Sequence, residues 1–332
     1  MREILTESKL EDEKRLKEIL SMLKSRLQMS FLSSGHTTAA LRALSYSSPL
    51  SKFKDDTDGI GYYEAVKEIE EHFEEKKEEL IANLKELAAR IFRADNLMIS
   101  YTAAPEGLDA VEKEMETFKN GLFERTDGDE QENRCILHCV KRNEGFKTSS
   151  KVQYVARTGN FIDGGAAYSG ALHILKVILS YDYLWQNIRV KGGAYGCMCN
   201  FNRIGEGYLI SYRDPNLEKT IDVYEKVTEY LRNFEADDRD MNKYIIGTIS
   251  NIDRPMNPSA KGTRSMNLYM NHVTEEMIRK EREEILNAGQ EEIRALADVV
   301  AAMLAADQLC VIGSEEKIEE QKALFGEVRT LF

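Results

Sequence analysis

The chain has 332 residues, 57 acidic against 45 basic side chains, a formal net charge of -12 and 42% hydrophobic residues. That length allows two domains, each with its own core. The acidic balance argues against a basic nucleic-acid groove, and no apolar run reaches the ~18 residues of a membrane span. The N-terminus, Met1-Arg-Glu-Ile-Leu-Thr-Glu-Ser8, lacks the layout of a signal peptide. Five cysteines make an odd number for a secreted disulfide framework, so a cytoplasmic, reducing setting is expected.

The first expected element is a helix at about 8–28, where Leu10, Leu16, Ile19, Leu20, Leu23 and Leu27 recur at the spacing of one buried face. His36 follows Ser33-Ser34-Gly35 and is read as a residue that caps or buttresses a turn. A long helix at about 62–93 carries Val66, Ile69, Phe73, Leu80, Leu84, Leu87 and Ile91 on one stripe. It ends in Ala94-Asp95-Asn96-Leu97, followed by a short apolar strand and a further helix. The same succession returns at 300–318 around Ala306-Asp307-Gln308-Leu309. Helices at about 216–235 and 274–305 mirror the two earlier ones. The pattern reads as a duplicated domain, with residues 1–120 the mostly helical C-terminal part of one copy, ending in a strand and helix, and 121–332 a complete copy. On that arithmetic the chain is expected to begin inside a domain.

The complete copy opens with β-rich stretches at 132–141 and 150–157, separated by a glycine-containing turn. A loop over 159–170, a helix over about 170–189 and a hairpin at 194–202 and 207–214 follow. Helices then dominate until a last strand at 308–313. The Pro/Gly-rich stretch at 253–262 reads as an exposed loop. This order implies an α+β fold: an antiparallel-rich sheet with helices packed on one face.

Chemistry is sparse along this chain. Neither His-Glu-x-x-His nor its inverse occurs among His36, His72, His138, His173 and His272. His72 sits on a charged helix and His173 near the start of an apolar one, so both read as structural. Cys135, Cys139, Cys197 and Cys199 read as strand residues, because no second ligand pair completes a tetrahedral set. The glycines of 159–170 lack a phosphate-loop signature and read as a strand-to-helix connection. One segment stands out: Asp182-Tyr-Leu-Trp185-Gln-Asn-Ile-Arg189-Val-Lys-Gly192-Gly193-Ala-Tyr195-Gly196. A helix ends in Arg189, Gly192 and Gly193 turn the chain, and Tyr195 opens a strand. Folded back, the pair could bind a carbonyl through the guanidinium fork and donate from the phenol to an oxyanion. A helix-terminal arginine favoured by the macrodipole and an ordinary strand tyrosine explain the spacing equally well.

The stretch Ser180–Cys197 resembles the C-terminal half of insulinase/pitrilysin-family zinc metallopeptidases, in their presequence-protease branch. Ser34–Ala43, Thr248–Asp253 with Pro258–Gly262, and Arg282–Leu286 support the likeness, which spans nearly the whole chain. The resemblance implies four similar α+β domains in two halves that close around a chamber. It implies zinc and a glutamate base in the N-terminal half, and none in this chain. The assisting catalytic residues would be Arg189 and Tyr195, on a turn supported by Gly192 and Gly193, acting on unfolded peptides. Residues 1–120 would then be the end of a third family domain and 121–332 a fourth. The chain would be a non-catalytic portion, inactive alone, whose partner is the N-terminal catalytic half of the same protein. The alternatives are a natural subunit that pairs with a separate zinc-bearing chain, and an interaction or scaffold domain. Neither a nucleic acid nor a membrane is expected as a partner.

Overall fold

The computed structural model describes residues 1–125 and 136–332. It divides into two compact units that interleave along the chain. Unit one comprises residues 1–26, 64–136 and 255–274; unit two comprises 27–63, 137–254 and 275–332. The compact units are therefore not divided at residue 120.

Among its described residues unit one is helical, with Phe73–Ile91, Leu108–Lys119 and Pro258–Met270 as its main elements. Ion pairs Lys77–Glu13 at 2.8 Å and Lys85–Glu11 at 2.7 Å stitch its N-terminal segment to Phe73–Ile91. The strand expected after Asp95 does not form: residues 97–104 are irregular. A strand needs a partner, and among the described residues the only ladder contact here is the single bridge Arg93–Phe123. The later copy of the motif does enter a strand, so the succession recurs only in part and a structural duplication is not shown.

Unit two carries the sheet. Its strands are β1 Glu144–Thr148, β2 Tyr154–Asn160, β3 Gly196–Phe201, β4 Glu206–Tyr212, β5 Gln308–Ser314 and β6 Glu327–Thr330, in the order β3-β4-β2-β5-β1-β6. The pairs β3–β4, β4–β2 and β2–β5 are antiparallel, whereas β5–β1 and β1–β6 are parallel. The sheet is mixed, which corrects the expected antiparallel-rich one. Hairpins advertise antiparallel neighbours locally, but β5 and β6 each return after helix and join by crossover. The expected strand at 132–141 is also corrected: residues 136–143 are irregular and β1 starts at Glu144, with Cys135 outside the described residues.

Helices cover both faces of this sheet, not one. On one face Ile293, Leu296, Ala297, Val300, Met303 and Leu304 of helix Gln290–Ala305 join Leu172, Leu175 and Ile178 of helix Ala171–Ile178 against Val155, Leu209 and Val311. On the other, Phe31, Ala39, Ala40 and Ala43 of helix Glu13–Leu44 pack with Ile60 and Tyr63 on Tyr154, Ala156, Ile210 and Ile312. Alternate strand residues therefore face different cores, and every residue of β5 is buried. The small alanines let that helix approach closely. Gly35 is required there, since a Cβ would lie 2.3 Å from the Tyr154 ring.

A buried ionic cluster pins the second face. Arg42 donates to Glu144 through Nε at 2.5 Å and Nη2 at 2.9 Å, and through Nη1 to Asp55 Oδ2 at 2.6 Å. Tyr46 Oη and Arg329 Nη2 also donate to Glu144, at 2.9 and 2.6 Å. The carboxylate lone pairs are thereby filled, as burial of charge demands.

Candidate functional site

Helix Ala171–Ile178 widens into π-helical turns at Leu179–Tyr183 and Trp185–Val190. Such turns often lie at functional sites. The Lys191 N–H donates to the Gln186 carbonyl, five residues back, at 3.0 Å. Two further N–H groups close the end: Gly193 donates to Arg189 and Ala194 to Ile188, at 3.0 and 3.1 Å. Gly193 has φ +81°, where a side chain is strained. At Gly192 a Cβ would lie 2.5 Å from the Ile188 carbonyl oxygen. The two glycines thus allow a turn tight enough to start β3 beside the helix end.

The turn is held from behind. Asn216 Nδ2 donates to the Gly192 carbonyl at 2.7 Å. The Asn216 N–H in turn donates to Asp214 Oδ1 at 2.9 Å, and Thr220 Oγ1 donates to Asp214 Oδ2 at 2.7 Å. Asp214 is fully buried, and burial raises its carboxyl above the usual range against the pull of these donors.

Arg189 and Tyr195 meet at the surface. The Arg189 guanidinium lies 4.0 Å from the Trp185 ring centroid and 5.9 Å from that of Tyr195. Among the described residues it has no carboxylate within ion-pair distance. Tyr195 is 66% exposed, and its ring meets Tyr212 edge-on at 5.7 Å. The Tyr195 N–H donates to the Tyr212 carbonyl at 3.0 Å, which fixes the base of the side chain. Arg213, at φ +48°, lays its guanidinium 5.4 Å from the Tyr212 ring centroid. The corner thus offers one unneutralised guanidinium on an aromatic bed and one solvent-facing phenol.

Trp185, Tyr212 and Asn216 have no part in the sequence reading of the site. Trp185 and Arg189 stand four apart, the spacing that stacks side chains on a helix. Asp214-Pro215-Asn216 is a turn signature. Only the β3–β4 pairing brings Tyr212 beside Tyr195.

The other sequence candidates fall in structural places. Cys197 and Cys199 line one face of β3 in the core, and burial pushes their thiols up to about 11 and about 12. Cys310 is buried in β5, and Cys139 is half-buried in irregular chain. His36 packs 4.7 Å from Tyr212 beyond the helix kink at Ser34. His72 separates helices Ile60–Glu71 and Phe73–Ile91, with Nδ1 3.1 Å from the Glu68 carbonyl. His173 Nε2 meets Glu281 Oε1 at 3.0 Å, and Glu281 is also held by Tyr168 at 3.1 Å and Arg203 at 2.5 Å. Among the described residues no group of three His, Cys, Asp or Glu side chains could hold a metal ion, so these residues do not fit zinc.

The sheet-bearing unit is thus a mixed sheet clothed by helices on both faces, with an arginine and a phenol side by side at one corner. Residues 143–315 match the family model described as the PreP C-terminal domain, and residues 1–69 match a second model, of a segment associated with the same class of peptidases. The chain belongs to the presequence-protease branch of the pitrilysin-type metallopeptidases, as part of the C-terminal half. It is 39% identical to protein HypA of Clostridium perfringens, over 99% of this chain and 33% of that one. It is 29% identical to presequence protease 1, chloroplastic/mitochondrial, of Arabidopsis thaliana, over 98% and 30%. The chain thus spans about a third of the length of these relatives. Among solved structures, the periplasmic protease PqqL from Escherichia coli aligns with TM-score 0.48 and 13% identity, over 90% of this chain and 33% of that one. No helix among the described residues is long and apolar enough to cross a membrane.

Proposed function

We propose that the Arg189–Tyr195 corner assists peptide-bond hydrolysis in the longer enzyme to which this chain corresponds. Tyr195 Oη donates to the oxyanion that develops on the scissile carbonyl. Arg189 holds a neighbouring backbone carbonyl of the substrate and keeps the Tyr195 ring oriented. Zinc, supplied by the N-terminal half or by a separate zinc-bearing chain, would provide the Lewis acid; no group among the described residues would ligate it. The chain helps enclose a chamber for unfolded peptides, presequences among them, in a reducing cytoplasm. Residues 1–120 serve as the end of a third family domain and 121–332 as the fourth, a boundary the compact units do not follow.

The observation that supports this reading is the exposed phenol beside a guanidinium that has no carboxylate partner among the described residues. Stacking on the Trp185 ring orients the guanidinium and leaves its fork of donors for a carbonyl or carboxylate. The test is Tyr195→Phe in the full-length enzyme. Loss of one oxyanion donor lowers kcat by about tenfold or more while zinc content and KM hold. An unchanged kcat removes the role. The chain alone is expected to cleave no peptide and to keep no stoichiometric zinc after chelator-free purification, which a metal assay checks.

A further inference from the structure

Away from that corner, residues of the Ala171–Ile178 helix and its first π-helical turn line a cavity of about 420 Å³ together with residues of helix Asp238–Ile252 and the chain just after it. Lys176 and Arg254 bring charge to the lining, Val177 and Ile252 apolar surface, Ser180 and Asn251 hydrogen-bonding groups. No carboxylate among the described residues lines it, although the chain as a whole carries a net charge of -12. Both cations are oriented by neutral oxygens: Lys176 Nζ donates to Asn200 Oδ1 at 2.9 Å, and Arg254 Nη2 to Asn251 Oδ1 at 2.8 Å. Among the described residues neither cation has a carboxylate within ion-pair distance, so their charges are aimed but not neutralised there. Acids beside the lining residues have partners of their own: Asp182 accepts from Tyr244 Oη, and His173, which lines the cavity, meets Glu281. Glu281 is also held by Arg203, and Asp253 accepts from both Nη atoms of Arg282 at 2.7 Å. The wall carrying Ser180 is π-helical, a second sign of a site.

We propose that this cavity binds a monocarboxylate on an aliphatic body, with the carboxylate between Lys176 and Arg254 and the body against Val177 and Ile252. A free peptide C-terminus and a short fatty acid share that chemistry. Charge-assisted hydrogen bonds to the two cations supply orientation, and the apolar pair excludes a fully hydrated ion such as free phosphate. The site stands independently of the Arg189–Tyr195 reading.

The test is calorimetric titration of the full chain with acetyl-Leu-Leu, with its C-terminal amide, and with hexanoate. Acetyl-Leu-Leu is expected to saturate with a Kd of about 1 mM or tighter, and the amide to bind at least about tenfold more weakly, since it lacks the charge. Tighter binding of hexanoate than of the peptide assigns a fatty acid as the source, and weaker binding assigns a peptide C-terminus. Lys176→Gln with Arg254→Gln abolishes saturation while Arg189→Ala leaves it unchanged. Both replaced side chains are exposed, so the melting temperature should hold and confirms that the variant folds. Equal binding of acid and amide, absence of saturation by any of the three, or undiminished binding by the folded double variant would each overturn the proposal.

Discussion

Two arginines of the sheet-bearing unit have opposite surroundings. Arg42 is 6% exposed and donates to two carboxylates, while Arg189 is half-buried, rests on Trp185 and faces no carboxylate among the described residues. The first guanidinium is saturated by the fold and has nothing left for a ligand. The second is oriented by an aromatic ring that leaves its donors unspoken for. A charge that holds structure is neutralised by carboxylates; one that can grip a substrate is positioned by neutral groups. Lys176 and Arg254 obey the same rule through amide oxygens.

The comparison breaks most visibly at Arg42. Arg42→Met strands Asp55 and Glu144 in the interior, and the expected loss is about 3–5 kcal/mol in urea unfolding. A loss under about 1 kcal/mol would make the cluster incidental. Acid probes the same place from the other side. Burial alone would raise the Glu144 carboxyl, but Arg42 and Arg329 hold it below its ordinary 4.5. A depressed folded value means that the stabilisation is complete above pH 4.5 and is lost as pH falls through the lower folded value. The urea midpoint should therefore fall as the pH drops below 4.5, and less so in Glu144→Gln than in the parent chain.

At the open corner the effects on stability are smaller. Asn216→Ala removes the donor that holds the Gly192 carbonyl and should cost about 1 kcal/mol, with a larger fall in kcat than in Tm in the full-length enzyme. Gly193→Ala should cost about 1–2 kcal/mol, because φ +81° is strained for any residue with a Cβ. Tyr195→Phe should move stability by less than about 0.5 kcal/mol, since the lost hydroxyl is not part of the core. A Tyr195→Phe chain that melts markedly earlier would turn the phenol into a structural group and erase the contrast with Arg42.

Periodicity was enough for the helices on one face of the sheet, within about 170–189 and 274–305, and alternation with a glycine turn was enough for the β3–β4 hairpin. Length boundaries were less legible: the helix expected over 62–93 breaks at His72, and that over 274–305 breaks before Gln290. The helix expected at 8–28 starts at Glu13, and helix continues to Leu44 beyond a kink at Ser34, where the small Ala39, Ala40 and Ala43 carry no stripe of large apolar residues to announce it. Helix Pro49–Asp58 and strand β6 are not in the sequence reading; each is short and is tied down by distant residues, the helix through Asp55 to Arg42 and Ser51 to Glu206, the strand by pairing with β1.

The sequence by itself marked the corner: a helix end, two glycines and a strand start put Arg189 and Tyr195 within reach of each other, while spacing alone left open whether they meet. The tertiary structure decided what surrounds it. Tyr212 and Asn216 arrive through strand pairing and a turn far along the chain, and Arg42 finds Glu144 a hundred residues away. Local spacing is written in bond geometry and side-chain period, whereas the neutralisation of a charge depends on which distant groups burial brings to it. That is why a single sequence announces an arginine but leaves open whether it is bound or available.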